Sequence, residues 1–397
     1  MEKKRNIFLL LGLLIFMTLG TVYSWSVFRK PLEGHLGLTA TESGLPYMFF
    51  LAFYAITMPI AGTFMHKFGP RISIIFGGTL VGAGWFLSGF ATSDLHLIIT
   101  YGLIAGSGVG IVYGVPIAVA AKWFPDKKGM AVGITLAGFG LSPFITAPLA
   151  SSFIMQFGIM PTFKILGISF FIIITLLALP FRFPDKAFED GHKSKVVNKA
   201  KNYTLKEMLK SENFHVLFFS YTIGTFVGLM CIGISSPFAE EVIGLDKRTA
   251  SIFVSIFAIF NGVGRPLFGT LTDKIGIART AILSFMLIII GSLFGIASQF
   301  GNPILFLIGF SLFWLNLGGW LAIAPTATAK LFGDKNYSQN YGVVFLAYGL
   351  GAVLGSLISG FIRDSYGSYV FVFYPVITLA IIGIISNKLI FSRKKAS

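Results

Sequence analysis

The stretch Gly62–Arg71, GTFMHKFGPR, returns as GTLTDKIGIAR at Gly269–Arg279. Gly62, Lys67 and Gly69 fall on Gly269, Lys274 and Gly276 at a constant offset of 207 (269 − 62). A second pair, KWFPDK at 122–127 and KLFGDK at 330–335, repeats at an offset of 208 (330 − 122). Two independent matches at nearly one spacing mark a duplicated unit, an arrangement common where two halves enclose a path through a membrane.

Composition agrees. Of 397 residues, 55% are hydrophobic and 12% charged, against about 25% charged in a soluble domain. The 43 phenylalanines and 46 glycines suit a bilayer, where lipid-facing surfaces need apolar bulk and helix contacts need small residues. Apolar runs of about 20 residues, enough to cross about 30 Å of hydrocarbon, recur twelve times. Their limits are 6–28, 44–65, 72–92, 97–121, 130–156, 161–181, 213–237, 249–271, 278–299, 303–329, 340–362 and 369–391. The basic start MEKKR and the run behind it resemble a signal peptide, but the run continues to Phe28 without a small-residue cleavage site and reads as the first span. The expectation is an all-α membrane protein of twelve transmembrane helices in two pseudo-symmetric six-helix halves. Residues 1–181 and 213–397 are the halves, and 182–212 is a solvated cytoplasmic linker.

The formal charge of +15 raises nucleic acid as a partner, and its distribution removes it. With the N-terminus inside, 24 of the 31 Lys and Arg fall in cytoplasmic segments. Five (Arg29, Lys30, Lys247, Arg248, Arg363) fall outside, while Lys164 and Arg265 lie within spans. The excess is topological and places both termini in the cytoplasm of a cell (inner) membrane. The lone Cys231 excludes an internal disulfide, and no metal or cofactor motif is present.

Arg265 stands well inside the eighth span, where an arginine costs about 2.5–3.5 kcal/mol to insert. All sixteen acids fall in loops or tails by this reading, so no carboxylate in a span neutralises it. Two accounts remain: an arginine clamped on backbone carbonyls, or one that receives an anion from outside. A guanidinium forks onto a carboxylate through two parallel charge-assisted hydrogen bonds, which a lysine does not reproduce. Asn261, four residues earlier and on the same helical face, would offer its amide to the same anion. Tyr23 and Trp25 in the first span, Tyr113 in the fourth, Trp320 in the tenth and Tyr348 in the eleventh stand at similar depth as candidate walls of a pocket, because a buried hydroxyl or indole N–H needs a partner. The string GSGVGIVYG (106–114) lies inside a span with no strand before it, so its glycines serve helix packing rather than a nucleotide.

The pieces YSWSVF (23–28), HKFGPR (66–71), GVGIVYG (108–114), KWFPDKKG (122–129), NGVGRP (261–266) and NYGVVFLAYG (340–349) resemble the oxalate/formate antiporter branch of the major facilitators, related to monocarboxylate transporters. The resemblance spans essentially the whole chain. It implies that Arg265 binds a carboxylate with help from Asn261, that Tyr113 lines the pocket, and that Lys67, Gly69, Arg71, Asp126, Lys127, Asp273, Lys274 and Arg279 belong to cytoplasmic gating motifs. Two departures bear on the substrate. Oxalate transporters of the branch carry lysine in an AKG string where this chain has Tyr348 in AYG, and animal proton symporters carry aspartate where this chain has Asn261.

The reading is a secondary transporter of small monocarboxylates (lactate, pyruvate or formate), working by alternating access as proton symport or anion exchange, as a monomer and with no cofactor. The alternatives are an oxalate or other dicarboxylate antiporter, an exporter of neutral solutes or drugs, and a membrane sensor of carboxylates. No nucleophile, base and metal ligands converge in the spans as an enzyme would need.

Overall fold

A computed structural model of the chain describes residues 2–184, 202–333 and 335–393. Among the described residues, twelve helices are long and apolar enough to cross a membrane. In the first half these are α1 (Arg5–Leu36), α2 (Ala40–Ala61), α3 (Lys67–Ser88), α4 (Asp94–Trp123), α5 (Gly129–Phe157) and α6 (Ile159–Ala178). In the second they are α7 (Glu212–Glu241), α8 (Lys247–Ile275), α9 (Ile277–Phe300), α10 (Pro303–Phe332), α11 (Gln339–Tyr366) and α12 (Tyr369–Lys388). Each coincides with one predicted span. An even number of crossings leaves both termini at one end of the bundle.

Several helices outrun their apolar runs. α1 passes through a 3-10 turn at Gly20–Ser24 and carries Pro31 within its last turns. Glu33, Glu240, Glu241, Asp273 and Asp364, placed in loops by the sequence reading, stand instead on the last turns of α1, α7, α8 and α11. Polar residues at a helix end reach water without breaking the backbone ladder, so hydropathy stops short of the hydrogen-bonded end. α8 begins where Asp246 accepts the Arg248 and Thr249 N–H groups. The hydroxyl and backbone bonds from Thr249 hold the Asp246 carboxyl below the usual carboxylate range.

The repeat has a conformational signature. Gly69, in the first turn of α3, has φ 79° and ψ 170°, and its counterpart Gly276, between α8 and α9, has φ 85° and ψ 164°. That region is essentially closed to residues with a Cβ. The two motifs also meet within the second half: Lys330 lies 2.6 Å from Asp273 and donates to the Thr272 carbonyl. The first half carries His66 and Lys122 at the matching positions (273 − 207 and 330 − 208), and there Lys122 lies over the Phe183 ring. Lys67, Arg71, Lys127, Lys274 and Arg279 are exposed near the end that bears the termini. The Asp126 side chain lies outside the described ones.

Most of the linker, 185–201, is outside the described residues. Its last part is not a solvated tether, because Tyr203 N–H donates to Phe332 O, and the Asn336 and Asn340 amides donate to Tyr203 O. A capping box at Thr204 then starts the short helix Leu205–Leu209.

The halves meet where α2 runs along α11, α5 along α8 and α1 against α7. At the end away from the termini the seam is polar. Asp364 of α11 accepts the Ala40 and Thr41 N–H groups at the start of α2. Lys30 pairs with Glu241, which also pairs with Arg363. Arg29, assigned to an external segment from sequence, is 2% exposed. It donates to Ser43 Oγ, Gly233 O and Ala40 O.

Gly69→Ala and Gly276→Ala are each expected to cost about 1–3 kcal/mol from the forbidden backbone region. Gly129→Ala, in open space and without a positive φ, should cost nothing. Thermal melting of the three variants in detergent checks the contrast.

Candidate functional site

The NGVGR stretch wedges α8 between its neighbours. A Cβ on Gly264 would meet the Leu315 carbonyl of α10 at 2.2 Å, and one on Gly318 would meet the Asn261 carbonyl at 2.1 Å. On the other side, a Cβ on Gly262 would meet the Leu141 side chain of α5 at 2.7 Å. Only glycine lets the helices approach this closely, and the approach carries Asn261 and Arg265 to the seam between the halves.

Arg265 is 5% exposed. Its Nη1 donates across the seam to Leu136 O of α5 at 2.6 Å. Nε and Nη2 are buried without a hydrogen-bond partner among the described residues. These two nitrogens form the side of the guanidinium whose N–H bonds run parallel, the edge that matches a carboxylate. Arg29 supplies the contrast: equally buried, it has an acceptor on each of its three nitrogens. An unmet buried donor costs about 1–3 kcal/mol, so Arg265 carries a hydrogen-bonding deficit that Arg29 does not.

Asn261 departs from the expectation. Its Nδ2 donates to Trp314 O at 3.1 Å, and it is Oδ1 that is left unpartnered. The carbonyl at the amide nitrogen fixes the orientation of the side chain, so Asn261 presents an unmet acceptor here, with one of its two N–H donors engaged by Trp314 O. Oδ1 and Arg265 Nε both face Gly140 of α5, where an added Cβ would lie 2.6 and 3.3 Å from them.

Three of the five aromatics converge here. The Tyr23 hydroxyl is 2.9 Å from that of Tyr348, joining α1 to α11 across the seam, and Tyr23 lies edge-on to Phe139 at 5.1 Å. Tyr113 packs on Phe139 and Tyr54 at 5.5 and 5.1 Å, and Tyr348 on Tyr54 and Phe345. The tryptophans do not join them. Trp25 is stacked on Tyr101 at 4.2 Å within the first half, and its indole N–H is satisfied by Ser43 O. Trp320 stacks on Tyr221 and Phe285 within the second half, hard against Gly224. Depth alone does not tell which way a side chain faces, and both rings point into their own half. Sequence reasoning missed Leu136, Phe139, Gly140, Tyr54 and Phe345. The repeat held one unused signal, since 261 − 207 maps Asn261 onto Tyr54.

The chain matches the family model described as Major Facilitator Superfamily over residues 9–327 and 217–396. It is 33% identical, over 89% of its length and 84% of the relative's, to the oxalate:formate antiporter of Oxalobacter formigenes. It is 28% identical to monocarboxylate transporter 12 of Xenopus laevis, over 78% of this chain and 72% of that one. Solved structures with the same fold include a bacterial homologue of the lysosomal transporter Spinster, inward-facing and occupied (TM-score 0.73, 17% identity, 98% of this chain and 96% of that one). The nucleoside transporter NupG is a second (TM-score 0.73, 13% identity, 97% and 100%). At those identities the likeness speaks for the fold alone.

The two arginines should respond oppositely to removal of charge. Arg29→Met strands buried neutral acceptors and is expected to destabilise by about 1–3 kcal/mol for each one left unmet. Arg265→Met removes two unmet donors and should leave stability unchanged or raised by about 1–3 kcal/mol. Melting curves recorded without added carboxylate decide this; a fall for Arg265→Met as large as for Arg29→Met makes Arg265 a clamp.

Proposed function

The chain belongs to the Major Facilitator Superfamily, a transporter and not an enzyme, and on that premise we propose that it moves small monocarboxylates across the membrane with Arg265 as their anchor. The observation that carries this reading is the unsatisfied Nε and Nη2 edge of Arg265, buried at the seam between two halves that must part for a solute to pass. A carboxylate laid on that edge gains two charge-assisted hydrogen bonds where the arginine has none. The site then carries no net charge, which favours rearrangement of the halves around it by alternating access.

The charge count favours a monoanion. Where the resembling oxalate transporters carry a second cation, this chain has the neutral Tyr348, whose hydroxyl is bonded to that of Tyr23. A dianion would keep one charge uncompensated at several kcal/mol. Tyr113 and Tyr54 supply the wall, and the Asn261 carbonyl oxygen accepts from a hydroxyl or a protonated acid on the solute. The unequal sharing of basic residues supports cytoplasmic termini. Both walls of the site come from one chain, which supports a monomeric unit. The relative named oxalate:formate antiporter favours a second reading, exchange of a dicarboxylate for formate, in which Tyr348 would have to tolerate the second charge.

Counterflow of labelled lactate, pyruvate, formate and oxalate into proteoliposomes tests both. Saturable counterflow of a monocarboxylate is expected, with oxalate far weaker. Arg265→Lys should lose roughly 10- to 150-fold, the worth of about 1.5–3 kcal/mol for a hydrogen bond to a charged group. Wild-type rates in Arg265→Lys sink the anchor. Oxalate as the preferred solute replaces the monocarboxylate reading by the second one.

A further inference from the structure

Two adjacent glutamates end α7, and the seam treats them differently. Glu241 is held by Lys30 of α1 and Arg363 of α11, and Lys30 also reaches Glu33 at 3.2 Å. Glu240 turns instead into a small crevice between the halves, with room for about one water molecule, lined by Val27 and Pro31 of α1, Ser151 of α5, Ser236 of α7 and Lys247 of α8. Its Oε1 accepts the Ser236 hydroxyl at 2.9 Å. Among the described residues Glu240 forms no ion pair. The charged groups facing it are Lys247 of α8, Lys30 of α1 and its neighbour Glu241, with Glu33 and Arg363 behind them. Glu240 is thus a carboxyl group that loses water whenever this end of the seam closes, held by a hydroxyl that serves its charged and neutral forms alike.

We infer that Glu240 is a proton-binding site whose occupancy favours closure of the seam at the end away from the termini. The inference rests on the alternating motion proposed above, and not on the identity of the solute. A charged carboxylate is stabilised by water and opposes closure, while a neutral carboxylic acid buries cheaply. Closure therefore binds the proton more tightly than opening does, and by linkage low pH must favour the closed seam. Glu241 acts with the opposite sign, since its bridge to Lys30 crosses from one half to the other and forms only when the seam is shut, whereas its bridge to Arg363 lies within the second half.

The test reads the seam directly. In a Cys231→Ser background, spin labels at Thr92→Cys and Gln299→Cys sit on uncharged, exposed positions at this end of the two halves. Their distance distribution is recorded in nanodiscs between about pH 5 and about pH 8. The long-distance population should grow several-fold as pH rises in the parent. It should stay short at every pH in Glu240→Gln, and lengthen at every pH in Glu241→Gln. A parent distribution that ignores pH overturns the inference. So does an unchanged pH response in Glu240→Gln, or a Glu240→Gln seam that opens as in Glu241→Gln. No carboxylate is needed for this readout, so failure of counterflow would sink the transport reading and leave this one standing.

Discussion

Everything near the centre of this bundle follows from the cost of keeping a guanidinium out of water. Arg29 and Arg265 are both buried at the seam, and the chain treats them as opposites. Around Arg29 the backbone of α2, the carbonyl of Gly233 and the Ser43 hydroxyl close every nitrogen. Around Arg265 one nitrogen is closed and two are not. Hydrocarbon offers no solvent to repair such a deficit. A membrane protein that keeps it gives up stability for something else, and the geometry of the open edge fits a planar anion.

Close helix approach sets the surroundings of that deficit. Gly264 and Gly318 bring the backbones of α8 and α10 together, and Gly262 seats α8 on the Leu141 side chain of α5. Gly140 lies opposite Asn261 Oδ1, where a single methyl group would intrude at 2.6 Å. The tyrosines complete the enclosure, with one of the Tyr23 and Tyr348 hydroxyls donating to the other. The second hydroxyl of that pair keeps its own proton, and the arginine edge stays the charged unmet donor at the seam.

How much of this was legible in the sequence depended on range. Twelve spans are carried by apolar runs, and they reappear in the structure; the duplication is carried by two offsets and the isolation of Arg265 by an inventory of charges along the chain. Contacts between the halves have no such signature. Leu136 lies 129 positions from Arg265 and Tyr23 lies 325 from Tyr348, and no periodicity links them. The direction of a side chain at known depth was equally hidden, which is why Trp25 and Trp320 read as site walls and proved to be packing inside their own halves. Helix ends were misplaced because hydropathy follows side chains while hydrogen bonding follows the backbone. The extra turns put Arg29 and the acidic lock inside the fold instead of in loops.

The duplication explains why one arginine suffices. Its offset carries Pro266 onto Pro59, Asn261 onto Tyr54 and Arg265 onto Met58, so the two halves present the same frame with different chemistry. Had both halves kept the arginine, two like charges would face each other in a medium of low dielectric constant, and a single carboxylate could neutralise only one of them. With methionine and tyrosine in the first half, the charge belongs to one wall, while the opposite wall contributes a carbonyl from Leu136, the bare backbone of Gly140 and aromatic faces. On the proposed function, an anion on that one-sided site would be bound mainly by the second half and only touched by the first. A carrier whose halves must separate with the solute still attached needs this inequality, because a solute gripped equally by both would resist the parting.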